Sequence, residues 1–121
     1  MIRLASMSIA FALSLTGGTA LAAPKGDPLK PCAACHSLEP GDNRLGPSLA
    51  GVFGRPAGSM AGYRFSNALR RSGIQWDAKT LDDFLASPQG VVPGNRMPYS
   101  GLADPLQRKA IIQALEGARG E

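Results

Sequence analysis

Cys32-Ala33-Ala34-Cys35-His36 is the stretch on which the reading of this chain turns. Two thiols three positions apart, at the start of a helical turn, can each reach one vinyl group of the same porphyrin. The bonds formed are thioethers, so the group they hold does not dissociate. The histidine that follows sets an imidazole nitrogen under the ring, where iron takes an axial ligand. The pentapeptide therefore reads as a c-type haem attachment site. The chain has two cysteines and one histidine in all, so no spare copies compete for these roles. Other fates of a cysteine pair fit less well. A zinc site needs four ligands, and nothing remains to complete one. A thioredoxin-like redox pair belongs in a strand–helix–strand setting, and no such alternation follows.

Working back from the motif, Met1-Ile2-Arg3 is a short basic start and Leu4 to Leu15 is almost wholly apolar or small. Thr16-Gly17-Gly18-Thr19 and Ala20-Leu21-Ala22 then supply small residues. This is the plan of a secretory signal peptide, with cleavage expected after Ala22 and a mature domain over 23–121. An uncleaved anchor is the competing reading, because the stretch approaches the ~20 residues that span a bilayer. The glycine pair argues against it, as does the short link from Ala23 to Pro31. Covalent haem attachment also suits an exported protein.

Cleavage removes one basic residue, Arg3, of thirteen and none of the nine acidic ones. The domain keeps twelve against nine, a side-chain charge of +3. That mild excess, with no basic stretch interleaved with aromatics, does not argue for nucleic acid. A domain so small has little core of its own, and a buried porphyrin would add apolar surface.

Working forward, residues 23–31 contain three prolines, and Pro28 and Pro31 forbid a long helix before the motif. One turn from about Pro31 into Cys32–Ser37 is the most that fits. Residues 45–58 are too rich in glycine and proline for regular structure, yet carry Leu45, Leu49, Val52 and Phe53. Such a loop is expected to pack flat against something large. Ser66 can cap a short helix that ends at Gly73. Asp77 suits as N-cap of a helix over Ala78–Ala86, closed by Ser87-Pro88, with Leu81, Phe84 and Leu85 on one face. Residues 91–102 read as an extended loop. Asp104-Pro105 opens a last helix that stops at Gly117, with Ala110, Ile111, Ala114 and Leu115 as its buried stripe. No internal repeat and no convincing strand is found. The expectation is an all-α fold of three to four short helices and long loops wrapped round one haem, with a shortened N-terminal helix.

Low-spin haem that shuttles electrons takes a strong ligand on each face. Met1 and Met7 leave with the signal, so Met60 and Met97 remain. Met60 lies in a flexible Gly-Ser-Met-Ala-Gly stretch. Met97 stands on an arm stiffened by Pro93 and Pro98 and is far enough from His36 in sequence to reach the opposite face. Met97 is the expected second ligand beside His36.

Taken together these features resemble a class I cytochrome c of the mitochondrial and alphaproteobacterial type. The match runs from Cys32 nearly to the end, through Gly46-Pro47-Ser48-Leu49, Gly51, Phe53-Gly54-Arg55, Gly62-Tyr63, Gly73-Ile74-Gln75-Trp76, Thr80-Leu81, Pro88, Pro93-Gly94-Asn95-Arg96-Met97 and Gly101-Leu102. The resemblance implies that the Pro47 carbonyl accepts the His36 Nδ1 proton, and that Arg55, Tyr63 and Trp76 serve a buried haem propionate. Three departures stand out. The prolines leave no room for the usual N-terminal helix, and Leu29 is the only apolar residue that could dock in its place. Phe84 lies where a tyrosine hydroxyl is usual near the methionine sulfur. Gln89 and Gly90 replace lysines of the exposed haem edge, where Arg96 keeps one charge.

The function implied is a one-electron carrier of the periplasm, not an enzyme, expected to be monomeric. Its partners would be a quinol-oxidising cytochrome complex or a dehydrogenase on one side, and an oxidase, peroxidase or reductase on the other, met through a transient contact. A haem with a labile distal side that binds gas or peroxide, and a thiol–disulfide oxidoreductase, are the competing readings.

Overall fold

The computed structural model describes residues 25–118, together with residues 10, 12–14 and 17–18. Apart from those few positions the expected leader, its cleavage point at Ala22 included, lies outside the described residues. Among the described residues no helix is long and apolar enough to cross a membrane.

The elements are all helical. A 3-10 turn at Lys30–Cys32 is followed by α1 (Asn67–Arg70), α2 (Ala78–Ala86), α3 (Pro88–Val91) and α4 (Pro105–Gly117). Their starts follow from local chemistry. The Ser66 hydroxyl accepts the Leu69 N–H at the head of α1. At α2 the Asp77 carboxylate accepts from Thr80 N–H while the Thr80 hydroxyl takes the Asp77 N–H, a reciprocal capping box. Asp104 caps α4, and Pro105 occupies its first position, where no N–H is needed.

Two expectations about elements need correction. Pro88 does end α2, but it also starts α3, because a proline that cannot continue one helix is well suited to begin the next. Residues 88–91 are therefore helical, and the extended arm starts only after them. On α4 the buried residues are Ile111, Ile112 and Leu115, with Ala110 and Ala114 half-buried. The helix is rotated toward its larger side chains, which bury more apolar area than the alanines. Gln107, Lys109 and Gln113 face solvent as expected.

The core joins α2 (Leu81, Phe84, Leu85) to α4 (Ile111, Ile112, Leu115), with Val52, Ala57, Trp76 and Val92. Leu29 is buried in the same cluster, so one side chain docks where a longer N-terminal helix would have crossed α4. The glycine-rich loop packs through Val52, Leu49 and Phe53, but Leu45 is 81% exposed. Leu45 therefore departs from the expected packed loop, since its neighbour Gly46 is the residue turned inward.

Candidate haem site

The attachment motif sits in one tight turn. Cys35 N–H and His36 N–H both donate to the Cys32 carbonyl, at 3.1 and 2.9 Å. Cys32, Cys35 and His36 are each half-buried, and both thiols are free of a disulfide. Burial first, and the Asp27 carboxylate second, push the Cys32 thiol above its ordinary pKa. A thiol–disulfide nucleophile requires the opposite shift.

The imidazole is fixed by the loop that returns over it. His36 Nδ1 lies 2.7 Å from the Pro47 carbonyl oxygen. That carbonyl is held on both sides, by Gly46 N–H to Cys35 O and by Leu49 N–H to Ser37 O, each 2.8 Å. Ser48, almost wholly buried, donates its hydroxyl to Glu39 O at 2.7 Å, and its N–H goes to Asn43 Oδ1 at 2.9 Å. With Nδ1 committed as donor to a carbonyl, the tautomer is set and Nε2 carries a free lone pair. Gly46 lies directly against the ring: a Cβ there would fall 2.7 Å from Nδ1 and 2.9 Å from Nε2 of His36. This position requires glycine for closeness of approach.

Met97 is half-buried and packs on the core cluster, whereas Met60 does not join that cluster. Its arm is tied at two points. Asn95, buried, accepts the Met97 N–H on Oδ1 and donates from Nδ2 to the Pro88 and Val92 carbonyls, all at 2.9 Å. Gln89 braces the same turn through Asn95 O and Gly94 N–H. Beyond Met97, Leu102 N–H donates to Leu85 O at 2.8 Å. Gly101, at φ +112°, passes so near the Ala86 carbonyl that no side chain fits. The Leu85 carbonyl, in the last turn of α2, thus receives its donor from the arm.

The three residues expected at a propionate are distributed as follows. Arg55 and Trp76 are brought together by a short backbone ladder, Trp76 N–H to Arg55 O at 3.0 Å and Gly54 N–H to Trp76 O at 2.6 Å. Arg55 is half-buried, and one Nη donates to Ala50 O at 3.2 Å. No ion pair among the described residues includes it, and burial lowers its pKa from the ordinary guanidinium value. A cation in that position is chemically matched to a buried carboxylate. Trp76 is buried and lies 5.0 Å from Phe84, ring centre to ring centre. Tyr63 already donates its hydroxyl to Leu45 O at 2.8 Å, and so anchors the loop that carries Gly46 and Pro47. Sequence reasoning gave no role to Gly46, Asn43, Asn95 or Gly101: Gly46, Asn43 and Gly101 act through partners further off in the chain, and Asn95 acts through a local turn that its residue type alone does not announce.

The residues present fit a covalent haem: two free thiols in one turn, an imidazole with its outer nitrogen bonded, a glycine face against the ring, and a half-buried arginine without a carboxylate. The comparisons agree. No protein-family model matches the chain. Cytochrome c2 iso-2 of Magnetospirillum fulvum is 52% identical over 85 residues, covering 70% of this chain and 88% of that protein. Cytochrome c2 of Rhodopila globiformis is 43% identical over 101 residues, covering 78% and 95%. Cytochrome c of Arabidopsis thaliana is 43% identical over 86 residues, covering 70% and 77%. Among solved structures, cytochrome cH from Methylobacterium extorquens superposes with a TM-score of 0.71 at 42% identity, over 74% of this chain and 91% of that one. Fold and site define a small helical protein that carries covalent haem. The chain belongs to the class I cytochromes c, and it carries one haem c bound through Cys32 and Cys35. It is an electron carrier and not an enzyme.

Proposed function

We propose that the protein is a periplasmic carrier whose haem iron is held between His36 Nε2 and Met97 Sδ. When bound, the haem supplies a single electron-accepting centre that alternates between ferric and ferrous. The chain's own contribution would be to hold His36 and Met97 in place through that change. The observation that carries the reading is the Nδ1–Pro47 bond at 2.7 Å, which commits the outer imidazole nitrogen and leaves the inner one for metal. The Met97 arm, tied through Asn95 and Leu102, supports the second ligand.

Residues 1–22 are proposed as a cleaved leader that takes the chain to the periplasm. The proposed partners are a quinol-oxidising complex or dehydrogenase as donor, and an oxidase, peroxidase or reductase as acceptor. They would meet a monomer at the haem edge near Met97 and Tyr99. Arg55, with Trp76 beside it, is assigned to a haem propionate, and Tyr63 to the loop that holds Pro47.

A distal side open to gas or peroxide is the second reading. It is favoured by Phe84, whose buried ring brings no hydroxyl to the core. Carbon monoxide added to the ferrous holoprotein separates the two. Little or no spectral change is expected of a carrier that keeps Met97. Rapid stoichiometric binding would replace that reading with the second.

A further inference from the structure

We infer that the cavity between Lys25–Pro31 and α4 is a binding site for a small uncharged benzenediol, of the hydroquinone or catechol kind, and that it serves as a port where such a reductant reaches the haem edge. Its use as a port rests on the carrier reading; the site itself does not. The space follows from the sequence. Pro28 and Pro31 limit the chain before the motif to one 3-10 turn at Lys30–Cys32. Leu29 is the one residue of 25–31 that is buried, and among the described residues no helix covers α4 from this side. A cavity of about 260 Å³ remains. None of the residues assigned to the thioethers, the iron or a propionate lines it. It borders the haem site all the same. Its wall residue Pro31 precedes Cys32, and Cys32 packs on the core cluster together with two other wall residues, Leu102 and Ile111.

The lining selects the ligand. Pro28, Leu102 and Ile111 present apolar surface to it. An apolar cavity of about 150 Å³ takes benzene, so this one has room for a ring with oxygen substituents. The polar groups come from three separate segments: Lys25 and Asp27 before the motif, Tyr99 beyond Met97, and Gln107 on α4. Asp27 Oδ1 accepts the Leu29 N–H at 2.9 Å, which leaves Oδ2 uncommitted. Tyr99 is half-buried. Burial first and the Cys32 sulfur second raise its pKa, so its hydroxyl stays protonated and lies within electrostatic reach of that sulfur. A carboxylated ring would set its charge against Asp27, and an aminated ring would set its charge against Lys25. A neutral hydroxyl donates to the first and accepts from the second. A diol reaches two of these segments at once, where a single hydroxyl reaches one. One diol reduces two ferric proteins to ferrous and becomes the quinone. Of the two protons released, the first passes from the bound hydroxyl to Asp27 and on to solvent.

The test is titration of the ferrous holoprotein with hydroquinone, followed by proton–nitrogen correlation spectra, with the iron kept ferrous so that no electron is exchanged. One saturable site is expected, with amide shifts at Asp27, Tyr99, Gln107 and Ile111. Asp27→Asn should weaken binding about tenfold, the scale of a lost charge-assisted hydrogen bond, and Gln107→Ala about threefold. Asp42→Asn, outside the cavity, should leave it unchanged. Absorption spectra identical to the parent establish that the variants fold. Para-dimethoxybenzene keeps the ring but has no hydroxyl to donate, and should bind about tenfold more weakly. Equal binding of the two compounds would overturn the proposal, by reducing the site to apolar contact alone. Absence of saturation, or shifts gathered at other residues, would also overturn it. Reduction of the ferric holoprotein should then level off with hydroquinone near the concentration that half-fills the ferrous site, and a linear dependence would overturn the port. The long-wavelength thioether band of the ferric protein reports the axial pair separately. Its absence would remove the carrier reading and the port together while diol binding persisted, so the two failures are told apart.

Discussion

The His36 ring is constrained from two sides. One ring nitrogen is bonded to Pro47 O, and the ring rests on the bare backbone of Gly46. Gly46→Ala should therefore act on the haem site rather than on the fold at large. The added methyl has to displace either the imidazole or the Pro47 loop, an overpacking cost of about 1–3 kcal/mol. The expected outcome is a fall in the yield of holoprotein and a partly high-spin ferric spectrum. A parent-like spectrum would show that the ring does not need this contact. At this scale the sequence was legible where chemistry is local. Cys32 and Cys35 announce haem attachment by spacing alone, and His36 beside them is the ligand that spacing proposes. Gly46 does not, because a glycine before a proline reads equally well as a turn, and only the folded loop brings it against an imidazole ten residues earlier.

Among the elements, the ends of α2 and α4 were legible for the same reason, since a cap is a contact between residues two or three apart. Asp77 shows this. The Thr80 N–H first, then the Thr80 hydroxyl and Lys79, lower its carboxyl below the usual aspartate value. A depressed folded pKa stabilises the protein above the unfolded value, and this contribution is lost as pH falls through the folded one. Asp77→Ala should thus lower the unfolding temperature at neutral pH. The difference from the parent should shrink as pH drops below the ordinary aspartate range, as thermal melts across that window would show. The short α3 was not legible. Its four residues have little helix propensity of their own, and its carbonyls are tied down by Asn95 from beyond its end. Asn95→Ala removes three hydrogen bonds from a buried position. It should cost roughly 2 kcal/mol and free the Met97 arm. Denaturant unfolding measures the first effect. Easier displacement of the methionine by added imidazole measures the second, and would not follow from a general loss of stability confined to the core.

For the whole molecule, the question is how so small a chain holds a large cofactor when the described residues before the motif form only a 3-10 turn. Leu29 is buried in the core cluster, a cavity of about 260 Å³ remains between Lys25–Pro31 and α4, and α4 is secured from another side. Arg108, only 13% exposed at its side chain, donates to Asp82 Oδ1 at 2.7 Å, to Leu102 O at 2.7 Å and to Ala103 O at 2.9 Å. It joins α4, α2 and the end of the Met97 arm. Asp82 is 43% exposed, so solvent weakens the ionic part, and the two carbonyl bonds supply most of the effect. Arg108→Ala should cost roughly 1–2 kcal/mol by chemical denaturation, whereas Asp82→Asn should cost less. This tie was not legible, because an arginine near a helix start reads as a solvated charge until its three partners are assembled. The shortened N-terminus was legible, because prolines forbid a helix whatever the rest of the chain does.

The most direct measurement is the ferric absorption spectrum of the purified holoprotein beside those of Met97→Ala and Met60→Ala. The parent and Met60→Ala should show low-spin iron with the weak long-wavelength band of a thioether ligand, and Met97→Ala should lose that band and change spin state. A band that survives in Met97→Ala, or disappears in Met60→Ala, would contradict the assignment of Met97 as the partner of His36.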